Sequence, residues 1–227
     1  MRPPHVNRSG RKFTLSFDDD APVLWMGLGQ VRDLRRQAVA GIIAARRAQP
    51  FTGVRDLLLR VELQAKEVRH LIQCGALDGL GASRAALLAE AGDLSRAGSA
   101  AQMAFDFGAP AVPPEDVATR LDWERHILGL PVSANPAVLV APPADAVPLR
   151  SVHGARNRPV ITVAARLPGW TGGKGFFIGD GADYLVAIPA DGMAAPRPWQ
   201  ALLLRGRVQG DAWGGEWLAV EEMRVAG

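Results

Sequence analysis

The apolar residues of this chain change their spacing partway along. Up to about Leu128 they recur at helical intervals, and after Asn157 they fall into short alternating runs. A recurrence near 3.6 residues puts one stripe of a helix on a core, whereas a period of about 2 puts one face of a strand there. One layer of structure cannot satisfy both patterns. The 227 residues therefore read as two small units, each close to the ~100–150 residues a domain usually takes.

The helical half opens with a β-hairpin lead-in over residues 1–26. Lys12 to Phe17 alternates like a strand, Asp18-Asp19-Asp20 with Pro22 makes a turn, and Val23 to Met26 returns as the partner. A helix is predicted from about Arg36 to Arg47, since Val39, Ile42 and Ile43 share a face and Pro50 stops it. A second begins near Val54 with Leu57, Leu58 and Val61 on one side, a third carries Val68, Leu71 and Ile72 to Gly75, and a fourth follows the N-cap Ser83. Gly27-Leu28-Gly29-Gln30-Val31-Arg32 ahead of the first helix reads as a tight turn delivering a short helix. That is the layout of a helix-hairpin-helix, a backbone-gripping nucleic-acid motif, here over residues 27–91. Arg32, Arg35, Arg36, Arg46 and Arg47 crowd this region with only Asp33 to oppose them, a footprint that phosphates favour. A solvated helix face is the alternative reading of the same charges.

Residues 92–116 shift to Ala, Gly, Ser and Pro and read as a flexible linker. One apolar island, Gln102-Met103-Ala104-Phe105-Asp106-Phe107, interrupts it. Residues 117–150 follow as a helix through Val117, Leu121 and Leu128, ended by Gly129, and a proline-rich connector. Five short strands then suit an OB-fold barrel over 151–227: Val160 to Leu167, Gly175 to Gly179, Tyr184 to Ile188, Ala201 to Gln209 and Trp217 to Val225. A small sandwich remains the alternative. Pro196 and Pro198 argue for a loop between the third and fourth strands, where such barrels often insert a helix. The fold class is thus multidomain, an all-α helix-hairpin-helix unit followed by an all-β barrel.

On such a barrel the loop between the first two strands borders the ligand groove, which makes Lys174 a phosphate contact, with Arg166, Arg205 and Arg207 beside it. Phe176 or Phe177 stacks on a base, and Phe176 is the one assigned. Neighbouring strand residues face opposite ways, so the other belongs to the core. Trp199 and Trp217 are expected as core or end caps, and Trp170 and Trp213, in loops, as further stacking candidates. Gly172-Gly173-Lys174 lacks both ends of a phosphate-binding P-loop: Pro168 takes the first glycine position and Gly175 the hydroxyl position.

No stretch approaches the ~20 uncharged apolar residues of a membrane span, and Met1-Arg2-Pro3-Pro4-His5 has no apolar signal-peptide core. A cytoplasmic protein without membrane contact is expected. Cys74 is the lone cysteine, and His5, His70, His126 and His153 are scattered without ligand spacing, so neither a disulfide nor a bound metal or cofactor is predicted.

Several motifs occur in an order that resembles bacterial C-family DNA polymerases, the polymerase III alpha subunits and their error-prone relatives. They are Pro3-Pro4-His5-Val6-Asn7-Arg8-Ser9, Gly27 to Arg32, Pro50-Phe51, Leu71 to Gly81, Trp123 to Leu130, and Gly175-Phe176-Phe177-Ile178-Gly179-Asp180. The resemblance implies the C-terminal third of such a polymerase, with the palm carboxylates absent from this chain. It implies a DNA-binding, non-catalytic protein of replication or repair. The alternative is one half of a split polymerase that acts only with a separate palm-bearing chain. Gln102, Met103, Phe105 and Phe107 resemble the family's sliding-clamp-binding peptide, which makes the clamp a partner beside single-stranded DNA. The sequence departs from the family at the hairpin, where Asp33 and Arg35 replace two glycines, so that Cβ atoms stand where backbone would approach phosphate. Arg32, Arg35 and Arg36 are the remaining contacts there. Asn135 stands where the family shows a histidine. Asp18-Asp19-Asp20 reads as a solvated turn rather than a replacement metal site.

Overall fold

Two units emerge from the contacts of the computed structural model, Met1–Ser133 and Ala134–Gly227; residues 1–18, 20–81, 83–96, 112–169, 171 and 173–225 are described. In the first unit, β1 (Thr14–Asp18) and β2 (Ala21–Trp25) form an antiparallel ribbon. A 3-10 turn at Leu28–Gln30 follows, then α1 (Arg36–Ala48), α2 (Val54–Arg60), α3 (Ala65–Gln73), α4 (Arg84–Arg96) and α5 (Val117–Leu128). Side chains cap the starts of α4 and α5. Ser83 Oγ accepts from Ala86 N at 3.1 Å to cap α4, and Asp116 Oδ1 accepts from Thr119 N at 2.7 Å to cap α5. Gly129 closes α5 at φ 82°, a left-handed conformation that costs glycine least.

The core of this unit draws on every helix: Ile42, Leu57, Leu71, Leu87 and Ile127 are all buried within it. The N-terminal segment is stitched onto the same core. Val6 is fully buried and donates its amide to Ala76 O at 2.9 Å. Asn7 imitates a strand partner for Phe51, donating Nδ2 to its carbonyl and accepting its amide on Oδ1, both at 2.8 Å. Cys74 lies in the core as well, and burial pushes its thiol up to about 12.

Arg84 is a buried cation of the unit, 3% exposed. Its guanidinium donates to Asp78 at 2.7 and 2.9 Å, to Glu124 at 2.9 Å and to the Gln73 carbonyl at 2.9 Å. Glu124, completely buried, takes the amides of Val132 and Ser133 on its other oxygen at 2.7 and 2.8 Å. One cation thereby joins the end of α3, the start of α4, the middle of α5 and the chain beyond α5.

The second unit is a closed barrel of β3 (Pro159–Leu167), β4 (Phe176–Gly179), β5 (Tyr184–Pro189), β6 (Ala201–Gly210) and β7 (Glu216–Val225), ordered β3-β4-β5-β7-β6 and returning to β3. All pairings are antiparallel except β5 with β7. That is an OB-fold. At the bulge between Arg205 and Gly206, the Ala219 carbonyl leaves no room for a Cβ, which is why glycine stands there. The connection between β5 and β6 carries no helix, as its prolines predict. Instead a short α6 (Leu149–Val152) precedes β3 and buries Leu149 and Val152 completely in the barrel core.

The stretch 117–150 divides between the two units. Its helix packs Ile127 and Leu128 into the first core, while Val147 pairs with Ile161 and its carbonyl accepts from Thr162 Oγ1 at 2.8 Å in the second. One expectation needs revising, since tryptophans do not fill the barrel. Trp199 and Trp217 are only half-buried, Trp213 is 94% exposed and Trp170 lies outside the described residues. The interior is packed by Phe176, Ile178, Leu202 and Leu204, whose smaller side chains suit five short strands.

Replacing Arg84 by Met should lower the stability of the helical unit by about 3–5 kcal/mol, the cost of leaving buried carboxylates unpaired. Adding Glu124→Gln removes that charge and keeps an oxygen for the amides of Val132 and Ser133. The double variant should recover at least ~1 kcal/mol in urea unfolding followed by circular dichroism, and a double variant no more stable than the single one would contradict the assignment.

Candidate nucleic-acid interface

The turn at Val31–Arg35 links the 3-10 turn to α1, and Asp33 adopts φ 60° there. Aspartate tolerates this left-handed conformation, so the turn keeps its shape without glycine. Its polar groups are spent inside the protein. Arg32 N donates to Ile127 O at 3.2 Å, Leu34 N to Val31 O at 3.3 Å and Arg35 N to Glu67 Oε1 at 2.9 Å, while His70 Nδ1 donates to Arg32 O at 2.7 Å.

Glu67 is the centre of this arrangement. It is 1% exposed and also accepts from Arg35 Nε and Nη2 at 2.9 and 3.0 Å and from Gln64 N at 2.7 Å. Burial by itself pushes its carboxyl up, but Arg35 and the two amides outweigh that and hold it below the usual glutamate range. An internal carboxylate therefore occupies the donors that a backbone phosphate would use. Beside it, Lys66 pairs with Asp33 at 2.8 Å and depresses that carboxyl.

The five-arginine cluster divides accordingly. Arg35 is committed to Glu67. Arg46 donates to the carbonyls of Val6 and Ser9 at 2.8 and 2.6 Å, holding the N-terminal segment. Among the described residues the Arg32 guanidinium reaches only the His126 carbonyl, at 3.5 Å, and Arg36 and Arg47 are exposed with no ion pair. Gly27 and Gly29 also serve the fold, because a Cβ at either would meet the Arg11 carbonyl, at 2.5 and 2.7 Å. Gly29 N donates to that same carbonyl at 3.0 Å.

On the barrel, Phe176 is 1% exposed and has no ring face to offer a base, which removes it from the candidate contacts. The alternation of β4 turns Phe177 outward in its place. Phe177 stands opposite Val186, Val186 opposite Trp217, and Trp217 opposite Gln209, one half-open row across β4, β5, β7 and β6. The loop after Gly210 joins β6 to β7 beyond the Gln209–Trp217 pair. Asp211 Oδ1 accepts from Trp213 N at 2.9 Å and Gly215 N at 2.8 Å, fixing the turn that displays the Trp213 ring. Trp217 is the face residue that sequence reasoning missed, because only strand register tells an outward tryptophan from an inward one.

The four predicted cations of the barrel are not gathered at one point. Arg207 pairs with Glu221 at 3.2 Å and Arg205 with Glu222 at 3.8 Å on the outer face of β6 and β7, and Lys174 meets Asp191 at 2.6 Å. These exposed pairs are worth at most ~1 kcal/mol and yield readily to a phosphate. Arg166 folds back onto the carbonyls of Leu167 and Gly169. Asn135 accepts from Ala137 N at 2.9 Å and donates to Gly179 O at 3.2 Å, so it anchors the preceding segment to β4. Gln102, Met103, Phe105 and Phe107 lie outside the described residues.

Residues 1–87 match the helix-hairpin-helix motif family. A DNA polymerase III subunit alpha of Campylobacter jejuni is 26% identical over 160 residues, covering 60% of this chain and 13% of that protein. An error-prone DNA polymerase of Xanthomonas campestris is 34% identical over 128 residues, covering 54% and 11%. The Vibrio cholerae polymerase III subunit alpha is 29% identical over 156 residues, covering 59% and 13%. The chain is thus similar to polymerase III alpha subunits and to error-prone polymerases, and it spans 11–13% of the length of these relatives.

The depressed Glu67 carboxyl has a pH signature. Its folded value lies below the ordinary ~4.3, so its stabilisation is complete above that range and drains away as pH falls through the folded value. Glu67→Gln should flatten the acid limb of the stability profile in thermal unfolding between neutral and acid pH. An unchanged acid limb would show that the carboxylate does not hold the turn.

Proposed function

We propose that the chain is a DNA-binding, non-catalytic replication or repair protein that resembles the C-terminal part of a polymerase III alpha subunit. Its barrel holds single-stranded DNA, and Gln102, Met103, Phe105 and Phe107 tether it to the sliding clamp. The observation that carries this reading is the half-open row of Phe177, Val186 and Trp217 on the barrel, with the exposed Trp213 ring in the loop between β6 and β7. Bases of any sequence stack on such rings, and neighbouring arginines supply phosphate contacts. The helical unit contributes less in this reading, because Glu67 already fills the hairpin and leaves Arg32 and Arg36 as its cationic contacts. Nucleotide transfer needs carboxylates that hold two metal ions ~4 Å apart. Asp18 is instead paired with Arg2 at 3.2 Å, and Asp20 sits at the ribbon's turn.

A second reading, a split polymerase completed by a palm-bearing chain, rests on the similarity to polymerase III alpha subunits and error-prone polymerases. Primer extension separates the two: no incorporation alone under either reading, and incorporation on adding such a chain only under the second.

Trp213→Ala should weaken binding to a labelled single strand in fluorescence anisotropy by about 1–3 kcal/mol, the worth of a stacked base. Arg207→Ala should flatten the dependence of log affinity on log salt by ~0.7. Arg35→Ala should lower the melting temperature and leave DNA affinity within about twofold, as its charge is already spent on a buried partner. Affinity that tracks Arg35 rather than Trp213 would move the site to the hairpin. For the clamp, replacing Gln102, Phe105 and Phe107 together by Ala should abolish a roughly micromolar interaction in surface plasmon resonance; an unchanged signal would end that part of the proposal.

A further inference from the structure

The ribbon β1–β2 has two unlike faces. Thr14, Ser16, Val23 and Trp25 turn inward, with Trp25 only 7% exposed and its Nε1 donating to Ser16 Oγ at 2.9 Å. Leu15, Phe17 and Leu24 turn outward and stay 60, 65 and 41% exposed, with Phe13, 48% exposed, at the base of the same strand. Leu15 stands directly opposite Leu24 and Phe17 opposite Pro22, so the outward groups form one continuous strip. A contiguous exposed apolar strip of this kind marks a binding face.

Charge selects the occupant. Arg11 and Lys12 lie at the base of the ribbon, exposed and without an ion pair among the described residues. The other end is acidic: Asp18 is engaged by Arg2, and Asp20, in the turn, is exposed and likewise unpaired among the described residues. An acidic tip on an apolar strip repels a phosphate backbone, which argues for a protein. A strip that is cationic at one end and anionic at the other is complementary to itself when reversed. Two ribbons stacked face to face about a two-fold axis bury Leu15, Phe17 and Leu24 against their equivalents and bring the base of each to the tip of the other. That is an isologous contact, which closes after two copies.

We propose that the outer face of β1–β2 is a homodimer interface, with Leu15, Phe17 and Leu24 at its centre and Arg11 and Lys12 of each copy facing Asp20 of the other. The proposal is independent of the DNA and clamp reading. The occupant is a second copy of this chain.

Sedimentation equilibrium of the full chain, from sub-micromolar to high micromolar concentration, tests it. A reversible monomer–dimer equilibrium is expected, weakened by added salt because the end contacts are exposed. Leu15→Ser with Phe17→Ser should raise the dissociation constant by at least about tenfold, with an unchanged circular dichroism spectrum, since both side chains are already exposed. Arg11→Glu and Asp20→Lys should each weaken the dimer, and the two together should restore it to within about twofold. A chain that stays monomeric throughout overturns the proposal. So does a dimer indifferent to Leu15→Ser with Phe17→Ser, and a combined charge reversal no better than the single ones overturns the antiparallel register. A monomer whose DNA affinity falls with Leu15→Ser and Phe17→Ser gives the face to nucleic acid instead.

Discussion

The guanidinium of Arg84 sets the position of the two helices that hold the turn before α1. By pairing with Glu124 it fixes the register of α5, and Ile127, one turn further on, supplies the carbonyl that takes the amide of Arg32. By reaching Gln73 O and Asp78 it fixes the end of α3, the helix whose Glu67, Lys66 and His70 grip the turn from the other side. The turn before α1 therefore hangs between two helices whose spacing depends on one buried cation. Loss of a partner in such a cluster leaves an uncompensated charge, so a disturbance at Arg84 reaches the turn through both helices.

Once the turn is held this way, its chemistry changes. A turn that binds phosphate through its amides must leave them unpaired, ready for an anion. Here the amides of Arg32, Leu34 and Arg35 already have acceptors, and the strongest acceptor is a carboxylate from the same unit. Asp33 keeps the left-handed geometry, so the shape of the turn survives while its vacancy does not. The cost of displacing Glu67 stands against any phosphate that would replace it, whereas Arg32 and Arg36 remain on the surface as plain charges.

The sequence carried the order of elements well, since periodicity and caps are local properties. The break at Pro50, the caps at Ser83 and Gly129 and the five strands of the barrel lie within a residue or two of their expected positions. What was not legible depends on contacts distant in sequence. Phe176 and Phe177 are equivalent to any local rule, and only the pairing of Phe177 with Val186 and Leu167 decides which ring faces out. Glu67 looked like an ordinary helix residue, and nothing local links it to Arg35, 32 positions away. The glycines at 27 and 29 were legible as tight backbone but not as to what approaches them, which is the strand-like segment at Arg11.

The two units handle polar and apolar groups in opposite ways, and that contrast bears on where a nucleic acid would rest. The helical unit spends its polar groups on itself, on Glu67, Arg46 and Arg84, and it turns outward an apolar ribbon face with an acidic end. The barrel instead fills its interior with Phe176 and aliphatic residues and leaves its bulkiest rings outside, with Trp213 held open by the carboxylate of Asp211. A fixed turn around an exposed ring pays the ordering entropy before any ligand arrives, the condition under which a single stacking contact yields most of its worth. Its arginines have partners too, but on the surface, where an exposed pair is weak enough to exchange one anion for another. Buried Glu67 and exposed Glu221 are both glutamates paired with an arginine; burial and two backbone amides make the first a lock, and exposure makes the second a placeholder.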